Sequence, residues 1–150
     1  MEKMEKDIRV LIADENGEVR RRCREIFTEH GCTAEEASNG EEAFRMMNRQ
    51  SCDLVIADLW LSGMDGTALM KKAAELHPSP SFIILTQVTS PSVLMEANRA
   101  GASLCLPKPV DYESLCAAAE TILKNRGTSV RTSAQNAYAK EEATVPYDLE

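Results

Sequence analysis

Short apolar runs alternate with segments of helical periodicity along residues 8–126. Four runs have the length and apolar content of strands, at residues 8–13, 54–57, 82–85 and 103–106, and a fifth, less apolar run at residues 33–37 predicts an edge strand. Apolar residues at helical spacing predict helices at residues 17–30, from the capping sequence Ser38-Asn39-Gly40-Glu41 to residue 49, and at 67–76, 92–100 and 112–126. This succession predicts one α/β domain with a doubly wound parallel sheet.

The third strand organises the chain. Residues 54–57 are apolar on both alternating faces, which indicates a central strand covered by helices on both sides. Asp58 then lies at the carboxyl end of this strand, where open α/β sheets carry their ligand sites. A single Asp after a strand could also cap a helix, so a functional interpretation needs partners from other strands.

Composition and charge exclude several classes of protein. The chain has 150 residues and is 43% hydrophobic, which suits one ordinary core. Its formal net charge of −7 argues against direct nucleic-acid binding, which calls for clustered Lys and Arg. No run approaches the ~18 apolar residues of a membrane span, and the first residues lack the apolar centre of a signal peptide. We therefore expect a cytoplasmic protein without membrane contact.

The five cysteines contain no C-x-x-C pair: they are Cys23, Cys32, Cys52, Cys105 and Cys116. Their scatter suits a reducing compartment better than a disulfide framework or a zinc site. We interpret them as packing residues.

Polar residues follow four of the five predicted strands. Asp14 and Glu15 follow the first, Asp58 the third, Thr86 the fourth and Lys108 the fifth. With Met64-Asp65-Gly66 after the third strand, this constellation resembles the receiver domain of two-component response regulators, the CheY-like fold. The resemblance covers residues 7–126 and implies the strand order 2-1-3-4-5.

The resemblance also implies a chemistry. Asp58 would be the phosphoryl acceptor, because a carboxylate can act as a nucleophile toward phosphorus. Thr86 and Lys108 would bind oxygens of the phosphoryl group, and the Lys108–Pro109 peptide would be cis. Neither His30 nor His77 needs a catalytic role, since both lie at predicted helix ends.

A magnesium ion belongs to this chemistry. Clustered carboxylates repel one another unless a cation neutralises them, and oxygen ligands suit a hard divalent ion. The resemblance implies that Mg²⁺ is held by the carboxylates of Asp14, Glu15 and Asp58 and by the backbone carbonyl of Trp60.

The function implied is that of a single-domain response regulator in a phosphorelay. It would accept a phosphoryl group from a sensor histidine kinase or a histidine phosphotransfer protein. It would then contact a downstream protein through the face of the fourth helix, fifth strand and fifth helix, as a monomer or weak homodimer. Residues 127–150 lose the hydrophobic spacing and are predicted to form a mobile tail.

Two alternatives stay open. A degenerate receiver would act as an interaction module without phosphorylation, and the chain could be the receiver part of a sporulation-type transcription regulator without its DNA-binding domain. Other α/β enzymes fit poorly, because the chain lacks both the G-x-G-x-x-G fingerprint and a Walker lysine loop.

Several residues depart from the family pattern. The acid pair ends in Glu15, and Ser62 stands where Pro is common, which predicts a loosened loop. Cys105 replaces the usual aromatic switch residue and predicts a different or weaker response of the output face. Trp60 and Val88 stand where many receivers carry polar side chains, and we expect them to shield the acyl phosphate from water.

Overall fold

The computed structural model describes residues 7–128 and confirms the predicted α/β architecture. The strands are β1 Arg9–Ala13, β2 Thr33–Ala37, β3 Leu54–Asp58, β4 Ser81–Thr86 and β5 Leu104–Pro107. The helices are α1 Gly17–Glu29, α2 Gly40–Arg49, α3 Gly66–Ala73, α4 Pro91–Ala100 and α5 Tyr112–Leu123, followed by a π-helical turn, Lys124–Thr128. The sheet is parallel with the order β2-β1-β3-β4-β5, as the sequence predicts.

The register of the sheet brings the polar residues at the strand ends together. In the β1–β3 pair Ala13 lies opposite Ala57, so the residues that follow, Asp14 and Asp58, come to the same edge of the sheet. In the β4–β5 pair Thr86 lies opposite Pro107, and the next residue is Lys108. The candidate site therefore lies across the carboxyl ends of β1, β3, β4 and β5.

Two apolar layers cover the faces of the sheet. Residues such as Val55 point toward the layer of α2, α3 and α4, which contributes Met47 and Leu69. The alternate strand residues, such as Ile56, point toward the layer of α1 and α5, with Phe27 and Leu115. A fully buried Leu, Ile or Phe side chain contributes about 1.5–3 kcal/mol to stability, so both layers fix the sheet rigidly beneath the site.

The capping box of α2 differs from the predicted one by a single residue. The sequence predicts that Ser38 caps the helix with Glu41 as its partner. In the structure Asn39 is the N-cap and accepts the backbone N–H of Glu42 at 2.8 Å, while Oε1 of Glu42 accepts the N–H of Ser38 at 2.9 Å. The side chain of Glu42 thus reaches back to the residue before the N-cap, one position earlier than in a standard capping box.

Three helices end earlier than predicted. Helix α1 ends at Glu29, with His30 as its C-cap. Helix α3 ends at Ala73 rather than residue 76, because the N–H groups of Glu75 and Leu76 bond to carbonyls only three residues back. Helix α5 ends at Leu123 rather than at residue 126, because the π-helical turn begins at Lys124. Of the predicted tail, residues 129–150 lie outside the described residues.

Within residues 7–128, no helix has the length and apolar character needed to cross a membrane.

Candidate functional site

Three charged side chains form the centre of the site, and we call them the charge cluster: Asp14, Asp58 and Lys108. The ammonium nitrogen Nζ of Lys108 lies 2.8 Å from Oδ2 of Asp14 and 2.9 Å from Oδ2 of Asp58. The two carboxylates come from adjacent strands and the lysine from the loop after β5. A single cation therefore neutralises part of the repulsion between two acids that the sheet forces together.

Burial makes this arrangement energetically significant. Asp14 is only 1% exposed, and the side chains of Lys108 and Asp58 are 12% and 19% exposed. Burial of the Lys108 ammonium opposes its charge, but its close contacts and charge interactions with Asp14 and Asp58 outweigh this and raise the pKa of Lys108 above its ordinary value. The lysine is therefore charged at neutral pH.

One oxygen of the charge cluster lacks a hydrogen-bond donor. Oδ1 of Asp14 accepts the N–H of Asn16 at 2.9 Å. Oδ2 is buried, and among residues 7–128 its contact with Lys108 is an ion pair by distance without the geometry of a hydrogen bond. A buried carboxylate oxygen without a donor is suited to a cation.

Glu15 lies at the exposed rim of the site, not in the charge cluster. Its Oε2 accepts the backbone N–H of Ser62 at 2.7 Å. Hydrogen bonds from the hydroxyl and from the backbone N–H of Ser62 lower the pKa of Glu15. In the loop that the sequence predicts to be loosened by the lack of a proline, the N–H of Ser62 donates to Glu15 and its carbonyl accepts the N–H of Gly40 at 3.2 Å.

Thr86 is buried at the end of β4, with its hydroxyl turned toward its own loop. Oγ1 donates to the carbonyl of Val88 and accepts the N–H of the same residue, both at 3.0 Å. The carbonyl of Thr86 accepts the backbone N–H of Lys108 at 2.9 Å, so the loops after β4 and β5 are joined beside the site. The Lys108–Pro109 peptide is cis, as the resemblance implies.

Trp60 is the most exposed large apolar side chain among the described residues. It is 54% exposed and lines an open groove between α3 and α4, together with residues such as Ala68 and Val93. The N–H of Trp60 donates to Oδ1 of Asp58 at 3.1 Å, which fixes the orientation of that carboxylate. The residue thus touches the site through its backbone, the part that the sequence analysis assigns to the metal.

Sequence reasoning missed two contributors. Ser62 binds Glu15 through its backbone N–H. The sequence indicates this contact only in that residue 62 is not a proline and therefore has an N–H to donate. Arg20 donates from Nη1 to the carbonyl of Asp14 at 2.7 Å and pairs with Glu36, with 3.1 Å from Nε to Oε1. Its place in the basic run of α1 suggests only a solvated charge.

Comparison with known proteins identifies the architecture. The model of the response regulator receiver domain family matches residues 10–120 of the chain. The chain belongs to this family. Receiver domains are signalling domains of two-component systems, and they interact with histidine kinases or phosphotransfer proteins.

Relatives of this receiver domain differ in size. The chain is 27% identical over 107 residues to sporulation initiation phosphotransferase F of Bacillus subtilis, a match that covers 71% of the chain and 86% of that protein. It also resembles transcriptional regulators of Escherichia coli such as ZraR and GlrR, of which it covers only 20% and 22%. Both short and long proteins therefore carry this kind of receiver domain.

Solved structures support the same fold. A CheY-like response regulator receiver domain protein from Methanospirillum hungatei has a TM-score of 0.76 at 25% identity, with 81% of this chain and 98% of that one covered. The receiver domain of Ssk1 from Saccharomyces cerevisiae, crystallised with the histidine phosphotransfer protein Ypd1, has a TM-score of 0.68 at 22% identity, with 73% and 84% covered.

The family typically binds Mg²⁺ at the phosphorylation site. The donors at the centre fit such an ion, because the buried Oδ2 of Asp14 lacks a hydrogen-bond donor and the Asp58 carboxylate lies next to it. Across residues 7–128, however, no three acidic, His or Cys side chains are grouped closely enough to hold a metal ion as they stand. The predicted third carboxylate, Glu15, is bound to Ser62 instead.

Proposed function

We propose that this receiver domain accepts a phosphoryl group on Asp58. The observation that carries the proposal is the position of Lys108, whose ammonium lies 2.9 Å from Oδ2 of Asp58 and also contacts a second buried carboxylate. An ordinary surface ion pair would not place a half-buried lysine between two acids at the carboxyl edge of a parallel sheet. In this position the Lys108 ammonium can neutralise the negative charge that a phosphoryl group brings to Asp58.

The proposed reaction is phosphoryl transfer from a phosphohistidine. A carboxylate oxygen of Asp58 attacks the phosphorus, the P–N bond breaks, and its electron pair returns to the imidazole, which takes up a proton. Lys108 needs only a small movement to bind a phosphoryl oxygen on Asp58. Thr86 must first release the carbonyl of Val88 before its hydroxyl can donate to another phosphoryl oxygen.

Mg²⁺ would be held by the carboxylates of Asp14, Glu15 and Asp58 and by the carbonyl of Trp60. It would supply positive charge that offsets the charge of the incoming phosphoryl group. The backbone N–H of Trp60 already orients the Asp58 carboxylate. Glu15 has to leave Ser62 to take part, because its carboxylate is engaged there in the structure.

We further propose that the phosphoryl donor is a sensor histidine kinase or a histidine phosphotransfer protein, as the Ypd1–Ssk1 complex suggests. The output would pass by protein contact through the face of α4, β5 and α5, where Met95 is 47% exposed. Cys105, the residue at the switch position, is only 3% exposed and cannot act as an aromatic ring that moves between two positions. The protein would work in the cytoplasm, as a monomer or weak homodimer and without binding nucleic acid.

Phosphorylation with a small donor tests the proposal. The protein is incubated with acetyl phosphate and Mg²⁺, and the adduct is located by mass spectrometry of the intact chain and of its peptides. We expect one phosphoryl group on the peptide that contains Asp58, and none on the variant Asp58→Asn. Asp111→Asn is the matched control, because Asp111 only caps α5 and Asn caps as well. Undiminished labelling of Asp58→Asn would refute the assignment.

One observation favours a second candidate function. The attachment of Glu15 to Ser62 leaves only two carboxylates at the centre, which is the arrangement expected of a degenerate receiver that binds partners without phosphorylation. In that case acetyl phosphate would label neither the wild type nor Asp58→Asn. The other candidate, the receiver part of a transcription regulator, is favoured by the relatives of which the chain covers about a fifth.

A further inference from the structure

Two contacts from outside the loop between β3 and α3 reach one of its residues, Ser62. Its N–H donates to Oε2 of Glu15 at 2.7 Å, and its carbonyl accepts the N–H of Gly40 at 3.2 Å, besides that of Met64 within the loop at 2.9 Å. Gly40 lies so close to this loop that a Cβ atom there would collide with the carbonyl of Met64. The loop after β1 and the start of α2 therefore both fix the position of Ser62.

Only the Glu15 contact depends on a flexible, charged side chain. Glu15 is exposed, whereas the backbone of Gly40 is fixed by the first turn of α2. The residue after Ser62 is Gly63, with a φ of +82°, a backbone conformation that glycine adopts without strain. The loop thus has a conformationally permissive residue directly beside the one that Glu15 holds.

The same carboxylate is needed at the centre of the site. The two central acids share one ammonium, and Oδ2 of Asp14 lacks a hydrogen-bond donor, so a bound cation would gain from a third carboxylate. As the side chains stand, Glu15 does not provide it. Its carboxylate must exchange the N–H of Ser62 for the ion.

We propose that Glu15 is a positioning residue with two alternative partners, the N–H of Ser62 in the metal-free protein and Mg²⁺ in the loaded one. Binding of the ion then releases the loop between β3 and α3 at Ser62, and the hydrogen bond to Ser62 weakens the affinity for Mg²⁺. By linkage, whatever holds the loop in its metal-free position opposes the ion to the same degree. This inference rests on the proposed function, because it takes the site to bind Mg²⁺.

Two substitutions at one position isolate the hydrogen bond. Ser62→Ala and Ser62→Pro both remove the hydroxyl, and only Ser62→Pro removes the N–H. Loss of a hydrogen bond that competes with the ion should tighten Mg²⁺ binding, and we expect a dissociation constant about 3-fold to 10-fold lower for Ser62→Pro than for Ser62→Ala. Glu15→Asp is a second route, since the carboxylate remains while its reach toward Ser62 is shortened by one methylene.

The measurement is a Mg²⁺ titration of the full chain by the fluorescence of Trp60, the single tryptophan, together with the amide shift of Ser62 in ¹H–¹⁵N spectra. In the wild type the Ser62 amide should shift on Mg²⁺ addition, with the same midpoint as the fluorescence. In Glu15→Asp, Mg²⁺ should bind more tightly and move this amide less. Asp58→Asn should bind Mg²⁺ weakly, which reports on the site itself.

The outcomes separate the two proposals. Equal dissociation constants for Ser62→Pro and Ser62→Ala, with a Ser62 amide that saturating Mg²⁺ leaves unchanged, would overturn the exchange of Glu15 while Mg²⁺ binding stands. If Ser62→Pro does not fold, the Glu15→Asp titration decides in the same way. Absence of Mg²⁺ binding in the wild type and in every variant would overturn the metal site and this inference together.

Discussion

The acidic residues at the centre of the site differ from the one at its rim in burial and in the partner that they bind. In the charge cluster, the buried carboxylate of Asp14 and the partly buried carboxylate of Asp58 share one ammonium. At the rim, the next residue along the chain, Glu15, is exposed and uses its carboxylate to hold a backbone N–H. Burial makes the central charges depend on each other, whereas water screens the rim, so similar chemical groups differ in what their removal does.

The largest effect that this comparison predicts comes from Lys108→Ala. Without the ammonium, two partly buried carboxylates face each other unpaired, and we expect the free energy of unfolding to fall by about 2–4 kcal/mol in the absence of Mg²⁺. Arg21→Ala is the matched control, because the side chains of its i,i+4 pair with Glu25 are 55% and 56% exposed and such a pair is worth about 0.3–0.5 kcal/mol. Urea unfolding in the presence of a chelator measures both. Equal losses in the two variants would show that the charge cluster does not behave as a buried group.

A second prediction concerns the lifetime of the phosphoryl group. Trp60 and Val88 carry no amide or carboxylate that can orient an attacking water, so Trp60→Asn combined with Val88→Glu should speed hydrolysis ~10-fold to 100-fold, which corresponds to ~1.4–2.7 kcal/mol of barrier. Met95→Gln alters the other exposed large apolar side chain and should leave the rate unchanged. Phosphoryl loss is followed by mass after removal of the donor. A wild-type rate equal to that of the double variant would mean that the exposed indole leaves the path of water open.

Removal of a negative charge from the charge cluster should raise the free energy of unfolding, whereas removal of the lysine should lower it. In Asp58→Asn, Lys108 retains Asp14 as a full partner and the repulsion between the two acids disappears. We expect a gain of about 1 kcal/mol or less without metal, or about 2–4 °C in melting temperature. A fall for Asp58→Asn would show that the Lys108–Asp58 attraction outweighs the repulsion.

The smallest effect is expected at the rim and appears as a pH dependence. The pKa of Glu15 is lowered by its hydrogen bonds to Ser62, so its contribution to stability is present above the pKa of the unfolded chain and is lost as the pH falls through the lower folded value. Glu15→Gln should therefore lose less stability than the wild type between pH 5 and pH 3. Melting temperatures across this range measure the difference, and identical acid profiles would exclude a contribution from Glu15.

The dependence of stability on pH at alkaline pH is set by the charge cluster. The raised pKa of Lys108 means that its stabilising charge is fully present below the unfolded pKa and is lost as the pH rises through the higher folded value. Buried thiols act in the same direction, because burial raises the pKa of Cys23 to about 12. Stability should thus fall as the pH rises above about 9, where unfolded thiols ionise.

The fold could be predicted from the sequence because its central strands, such as β3, are apolar on both faces and its turns are polar. Residues 54–57 and Asp58 fell into β3 as expected, and the register then brought Asp14 beside Asp58. Helix ends were less predictable, because they depend on tertiary contacts. At the start of α2, for example, Ser38 and Asn39 are adjacent candidates for the N-cap, and the structure has Asn39 in that place.

The sequence predicted which residue types meet at the candidate site, but not all of the contacts that their side chains make. The side chains of Asp14, Asp58 and Lys108 meet because the strand ends meet. The partner of Glu15 could not be foreseen, since it is a backbone N–H that any residue except proline supplies. The orientation of Thr86 toward Val88 likewise follows from a local turn, which residue identity alone does not determine.

The central claim is that Asp58 receives the phosphoryl group beside Lys108, and fluorine NMR with beryllofluoride tests it most directly. In the presence of Mg²⁺, the wild type and Asp111→Asn should give resonances of bound fluoride, because beryllofluoride on an aspartate imitates the phosphoryl group. Asp58→Asn should give none, and Lys108→Ala should give weaker ones. Bound resonances of wild-type intensity in Asp58→Asn would contradict the account.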